Sequence, residues 1–118
     1  MHQEKSGRNL HYRRGSASND QLHFLESQFL PRTGEWPSVA LTNCGLAVTV
    51  FDNSHNIYAT AGNQSEADPA KIDWQPAQKV GDGAYFPAVT TDGDWIIAVW
   101  SRGAFSNFDL QYSAARVP

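Results

Sequence analysis

The sequence predicts an all-β protein, and three observations support this fold class. The apolar segments are short and bounded by Gly, Asn, Asp, Ser and Pro, while the periodicity of an amphipathic helix is nearly absent. Tight turn sequences join neighbouring apolar segments, as at 42–45 (TNCG) and 91–94 (TDGD). The third observation is a repeat, because FLESQFLPRTGEWP at 24–37 is followed 50 residues later by WQPAQKVGDGAYFP at 74–87.

Nine strands are predicted along the chain. Two short strands precede the first aromatic–Pro pair, and four strands follow it, separated by the turn at 42–45, a hairpin at 52–55 and a polar loop at 62–69. The second aromatic–Pro pair opens three more strands, the first two of which are joined by the turn at 91–94. The predicted ranges are 8–13, 21–24, 37–41, 46–51, 56–60, 71–75, 86–90, 95–100 and 109–113.

The repeating unit is therefore a sheet of four antiparallel strands in about 50 residues, which is typical of β-propeller blades. We expect a partial blade at 8–35 with the last two strands, a full blade at 36–80, and a partial blade at 84–118 with the first three strands. A single β-sandwich of nine strands is the alternative, but a sandwich does not require similarity between its halves. One chain of this length cannot close a ring, since propellers contain ~4–8 blades.

Composition limits the partners. The 118 residues carry a formal net charge of -3 and include no basic stripe, which argues against nucleic acid as the main partner. The longest apolar run, 95–100, has the length of a strand, so no membrane insertion is expected. The polar N-terminus does not read as a signal peptide, and the compartment stays open. The single cysteine, Cys44, excludes an intrachain disulfide.

Two segments carry a resemblance to a known family. Residues 9–50, with NLHYRRG, Phe24, GEWPSVALTNCG and LAVTV, resemble the repeat of the bacterial seven-bladed β-propeller lectins first described from Photorhabdus. The segment 72–99 repeats the pattern with IDW, a Pro-Ala-Val strand and Ile-Ala-Val. The resemblance implies a non-catalytic lectin that binds fucose or related sugars in shallow sites between blades. The family's V-E-V-H pattern is replaced here by VTVF at 48–51 and IAVW at 97–100.

Sugar binding calls for an aromatic face against the C–H face of a pyranose, together with hydrogen bonds to its hydroxyl groups. Packing between blades is the competing role for the same aromatic residues. Asn56, Asp92 and Asp94 are additional polar candidates near strand ends. The residues predicted to bind sugar are Trp36, Tyr85, Phe86, Trp95, Trp100 and Arg102.

Other chemistry has weaker support in the sequence. The four histidines lack metal-ligand spacing, although His11 and His23 are expected in paired strands, so no metal or other cofactor is predicted. The arginines are scattered and the aspartates of 91–94 suit a turn, which disfavours an enzyme. A structural or protein-interaction propeller is the main alternative to the lectin, and a sialidase-like glycosidase is the third. We expect glycans as partners, and either a homo-oligomer or membership of a longer chain.

Overall fold

A computed structural model describes residues 8–104 and 107–116. All regular structure within these residues is β, arranged as several antiparallel sheets, which confirms the prediction of an all-β protein. No helix that could cross a membrane is present in this part of the chain. The twelve strands are β1 (His11–Tyr12), β2 (Gly15–Ser18), β3 (Gln21–Phe24), β4 (Gln28–Phe29), β5 (Glu35–Leu41), β6 (Ala47–Asn53), β7 (Asn56–Gln64), β8 (Ile72–Trp74), β9 (Gln78–Gly81), β10 (Ala84–Asp92), β11 (Trp95–Ala104) and β12 (Asn107–Arg116).

The central sheet contains the four strands predicted within 36–80. Its order is β5-β6-β7-β8. A short further strand, β9, pairs with the first half of β7, whereas β8 pairs with the second half. The sequence did not predict β9, and it ended the third strand of this sheet at residue 60, whereas β7 continues to Gln64. Both differences have one cause, since the chain returns along β7 in two short segments, first β8 and then β9, with a shift of register between them.

The C-terminal sheet contains three strands in the order β10-β11-β12. Each strand is longer than the sequence predicted, because β10 and β12 extend at both ends, and β11 begins at Trp95 as predicted but continues to Ala104. The turn at Gly93 joins β10 to β11, and its φ of 59° is in the left-handed region that glycine tolerates. Residues 105–106 and 117–118 of the predicted partial blade at 84–118 lie outside the described residues.

The N-terminal segment corrects one prediction. The sequence expected the strands at 8–13 and 21–24 to pair with each other, and so placed His11 near His23. Instead, His11 pairs with Phe29, and His23 pairs with Ser16. The reason is the tight turn at Asn19 and Asp20, whose φ values of 51° and 62° fold Gly15–Ser18 directly onto Gln21–Phe24. The two histidines therefore lie in different two-stranded sheets.

The backbone repeats closely between the central and C-terminal sheets. In β5–β6 the register shifts between Glu35 and Ser38, and in β10–β11 it shifts between Tyr85 and Ala88, which are the positions 50 residues later. A second match links the N-terminal segment to the central sheet, where β2 and β3 correspond to β7 and β8. Gly15 pairs with Phe24 in the N-terminal segment, and Gly62 pairs with Trp74 in the central sheet. The sequence repeat thus corresponds to a repeat of strand register.

The core consists of two clusters that occupy equivalent places in successive repeats. In the first cluster, Phe51 from β6 is fully buried against Leu10 and Leu30 of the N-terminal segment. In the second, Trp100 from β11 is buried against Ile57 of the central sheet, with Val80 beside it. Each cluster therefore joins one sheet to the sheet that precedes it, through an aromatic residue of the second strand.

Polar contacts reinforce the first junction. The Gln28 side-chain amide donates to the Ile72 carbonyl (2.7 Å) and its oxygen accepts the Ile72 N–H (2.9 Å), so one side chain satisfies both backbone groups. The Arg32 guanidinium lies 4.2 Å from the centre of the Tyr58 ring and donates to the Tyr58 hydroxyl at 3.2 Å. These contacts align the N-terminal segment along β7 and β8.

Gly62 should tolerate no side chain, since a Cβ added there would collide with the Asp73 carbonyl across the β7–β8 ladder. We expect Gly62→Ala to lower the free energy of unfolding by about 2–3 kcal/mol. Gly45→Ala is the matched control, because the space around Gly45 is open and only its φ of 87° opposes alanine, at about 1 kcal/mol. Urea unfolding of both variants measures the difference, and equal losses would contradict this account of the ladder.

Trp100 should be a stability residue, because it is only 4% exposed and fills the junction between the central and C-terminal sheets. We expect Trp100→Ala to cost about 3–5 kcal/mol of unfolding free energy. Trp95→Ala, at an exposed tryptophan of the same strand, should cost less than about 1 kcal/mol. Thermal and urea unfolding compare the two, and a mild effect of Trp100→Ala would argue against its place in the core.

Candidate functional site

An exposed patch of aromatic rings lies where the central and C-terminal sheets meet. The rings of Trp36 and Phe86 contact each other edge to face, with their centres 5.3 Å apart and their planes at 78°. Phe86 continues to Tyr85 at 6.1 Å, and Tyr85 continues to His55 at 4.8 Å. Trp36 and Phe86 are 59% and 56% exposed, which is unusual for rings of this size beside a packed core. These four residues are called the aromatic patch below.

The backbone holds Trp36 and Phe86 in a strained conformation. Their φ values are 54° and 53°, in the left-handed region that bulky residues rarely adopt. Each ring sits in a β-bulge and is followed by proline, Pro37 or Pro87, which has no N–H to donate to the ladder. Strain of this kind costs about 1–3 kcal/mol and is concentrated at functional sites. The repeat therefore maintains, at two equivalent positions, an exposed ring at a cost in stability.

A cleft adjoins the aromatic patch on the side of Trp36. It has a volume of about 340 Å³ and contains polar groups from two segments of the chain, Arg8 and Asn9 on one side and Glu35 on the other. Arg8 and Gly34 hold these segments together through two backbone hydrogen bonds of 2.9 and 2.8 Å. A cleft of this volume is at the small end of the range for ligand sites.

The second repeat has an equivalent arrangement with different side chains. The Ala84 N–H donates to the His55 carbonyl at 2.7 Å, as the Gly34 N–H donates to the Arg8 carbonyl in the first repeat. His55 and Asn56 therefore correspond to Arg8 and Asn9, and Tyr85 corresponds to Glu35. The first position is thus charged, with a cation and a carboxylate, while the second is aromatic, with the rings of His55 and Tyr85 in contact.

A tight hairpin positions His55. Asn53 pairs with Asn56, so the loop has only the two residues Ser54 and His55, whose φ values are 51° and 65°. This is the geometry of a type I′ turn. The Asp52 carboxylate stabilises it by accepting the His55 N–H at 3.1 Å. Burial raises the pKa of Asp52 above its usual value, and the bond from His55 opposes that effect.

The structure brings three of the six predicted sugar-binding residues together, namely Trp36, Tyr85 and Phe86. Arg102 lies on the neighbouring strand, where it is exposed and pairs with Ala84, one position from Tyr85. Trp95 lies at the far end of the sheet. It pairs with Asp92, seven residues along β10 from Tyr85, which is about 23 Å at ~3.3 Å per residue.

Trp100 does not belong to this surface. It is buried between the sheets, and its indole N–H donates to the Gln111 side-chain oxygen at 3.4 Å. The sequence placed it at an amphipathic strand end beside Arg102, but the strand continues to Ala104, so Trp100 lies in the strand interior and faces the core. The prediction that Trp100 is available to a ligand is therefore not met in this structure.

Four residues of the site escaped the sequence reasoning. Arg8, Asn9 and Glu35 are brought into one cleft by an isolated bridge between Arg8 and Gly34, which no local pattern indicates. His55 joins the aromatic patch through a Ser-His turn rather than the usual Asn-Gly pair. Within residues 8–104 and 107–116, no group of three or more His, Cys, Asp or Glu side chains is placed to hold a metal ion.

Comparison of the chain with protein-family models, with curated proteins and with solved structures found no match.

Backbone strain at Trp36 should be measurable. Trp36→Gly removes the ring and relieves the strain, whereas Trp36→Ala removes the ring and keeps a Cβ at a φ of 54°. We expect the glycine variant to be more stable than the alanine variant by about 1 kcal/mol. Paired urea titrations provide the measurement. A glycine variant that is the less stable of the two would show that the conformation is not strained.

Proposed function

We propose that this protein is a non-catalytic, carbohydrate-binding β-propeller protein that binds fucose or related sugars. The observation that carries the proposal is the exposed, strained aromatic ring that occurs at the same place in two successive repeats, Trp36 and Phe86. Both rings are exposed, so neither is needed to fill the core, and the backbone strain at these positions has no structural benefit that offsets it.

The chemistry beside these rings suits a sugar. An aromatic face attracts the apolar C–H face of a pyranose, and the polar groups of the cleft can bind its hydroxyls. The Arg8 guanidinium donates hydrogen bonds, the Glu35 carboxylate accepts them, and the Asn9 amide does both. Hydroxyl groups are donors and acceptors at once, so a cleft that offers both kinds of partner matches them better than one that offers either alone.

The packing of the sheets supports the propeller architecture. The first strands of two successive repeats, β5 and β10, contact each other at matching positions. The Ser38 hydroxyl accepts the Val89 N–H at 3.1 Å, and the Thr91 hydroxyl donates to the Leu41 carbonyl at 2.8 Å. Repeats that are related by rotation touch at equivalent residues only near the rotation axis, where the innermost strands of propeller blades lie.

A structural or protein-interaction role is the alternative. Under that hypothesis Trp36, Phe86 and Trp100 all pack between sheets and are all buried. Only Trp100 is buried, while Trp36 and Phe86 are exposed. This difference favours a ligand-binding role for the aromatic patch. Shallow sites of this kind bind single sugars weakly, and their repetition in one assembly raises the overall affinity through multivalency.

Binding should depend on the patch and not on exposed tryptophan in general. A glycan array that includes fucosylated, galactosylated and methylated sugars identifies the ligand, and calorimetric titration then measures its affinity. We expect Trp36→Ala and Phe86→Ala each to weaken binding by roughly five- to tenfold, because a stacked ring contributes about 1–1.5 kcal/mol.

Trp95→Ala is the matched control for this experiment. It removes an exposed tryptophan from the same protein, about 23 Å from the patch, and should leave the affinity unchanged. Circular dichroism confirms that each variant is folded. An array with no signal for any of these sugars would refute the lectin proposal, and an equal loss in all three variants would refute the position of the site.

A further inference from the structure

Within the part of the chain that the structure describes, one edge of the N-terminal segment has no neighbouring strand. Among the described residues, β1 pairs only with β4, and β2 pairs only with β3. The equivalent strand of the next repeat, β7, pairs on both sides, with β6 on one and with β8 and β9 on the other. The β1–β2 edge thus presents backbone N–H and C=O groups on the side that corresponds to the β6 side of β7 in the central sheet. An unpaired edge of this kind is a template for a strand from another chain.

A groove runs along this edge, between β1–β2 and β5. It is made of two adjoining cavities of about 240 and 350 Å³, which share the lining residues Tyr12, Arg13 and Val39. Pro37 lines both the first of these cavities and the cleft beside Trp36. On the β5 side, Val39 and Leu41 are exposed apolar residues. In the central sheet two strands, β5 and β6, lie before β7, and in the C-terminal sheet two strands, β10 and β11, lie before β12. No such pair of strands lies beside β1 and β2 among the described residues.

The sequence supplies a reason for β11 to pair with β1. Within its own sheet β11 pairs with β12, which carries Leu110-Gln-Tyr112, and β1 with its preceding residue carries Leu10-His-Tyr12. The two segments have the same order of apolar, polar and aromatic residues at equivalent strand positions. The β11 strand can therefore accept either of them as its neighbour.

Burial distinguishes the two possible neighbours of β11. Leu110 is 82% exposed, whereas Leu10 is 7% exposed because Phe51 covers it. Val50 and Ile57 hold the positions in the central sheet that Val99 and Leu110 hold in the C-terminal sheet, and both are buried beneath Trp100. In the central sheet, Trp100 of the next repeat covers Val50. If β1 of another chain took the place of β12, Phe51 of that chain would cover Val99 in the same way.

From these observations we propose that a second copy of this chain docks its β10–β11 hairpin in the groove. Its β11 pairs there with β1 and β2, in the place that β12 holds within its own sheet. The hairpin also brings Phe86 of the second copy to Trp36, so the cleft of Arg8 and Glu35 gains a second ring, in the same way that Phe86 already has Trp36 as its neighbour within the chain. This assembly does not depend on sugar binding.

Disulfide trapping tests the register. Because Val99 pairs with Tyr112 within the chain, the exchange places Val99 of one copy opposite Tyr12 of the other. In a Cys44→Ser background, Tyr12→Cys and Val99→Cys are made as separate proteins with tags of different size, mixed and oxidised. We expect the mixed disulfide to dominate. The matched control replaces Tyr12→Cys by Leu22→Cys, an exposed residue of β3, and should give only background.

Light scattering on the unmodified chain gives a second, independent measurement. We expect a mass of at least two chains of 13.0 kDa each. Val99→Asp should weaken the association about tenfold or more, because the carboxylate would be buried without a partner, while Leu22→Asp should not. A chain that stays at 13.0 kDa overturns the proposal. The occupant of the groove would then be a further repeat of a longer chain. Association without the preferred disulfide overturns it too, since the copies then meet elsewhere.

Discussion

The burial of one aromatic residue between successive repeats is the interaction on which the rest of this structure depends. Phe51 lies against Leu10 and Leu30, and Trp100 lies against Ile57 in the same relation. A single sheet of a few strands cannot bury its apolar face alone, so each repeat is stabilised by its neighbour. The order of stacking is thereby determined, since the second strand of one repeat always covers the third strand of the repeat before it.

The candidate site follows from that stacking. Once the aromatic residues of the second strands are buried, the first strands β5 and β10 are brought side by side, and their bulges present Trp36 and Phe86 at the surface. The strain at these two positions is small compared with the burial that holds the sheets together. Stability and the proposed ligand binding therefore involve different aromatic residues of the same repeat. The residue of the second strand is buried, and the residue in the bulge of the first strand is exposed.

The two equivalent positions, at Arg8 and at His55, show how a repeated backbone can carry different chemistry. The carbonyls of Arg8 and His55 accept equivalent backbone hydrogen bonds, yet the side chains at those positions are a guanidinium and an imidazole. Glu35 and Tyr85 differ in the same way. Side chains at strand ends are free to diverge because they do not contribute to the buried junctions, so sites of different preference can be built on one scaffold.

The sequence by itself determined the β class, the period of about 50 residues and most strands of the central sheet, because alternation and turn residues act over a few neighbouring positions. It also indicated Trp36, Tyr85 and Phe86, through the aromatic–Pro pairs. Only the tertiary structure decided that Trp100 is buried, that His11 pairs with Phe29, and that Arg8 faces Glu35 across a cleft. Those outcomes depend on contacts between distant segments, whose register is set by the stacking of whole sheets rather than by any local pattern.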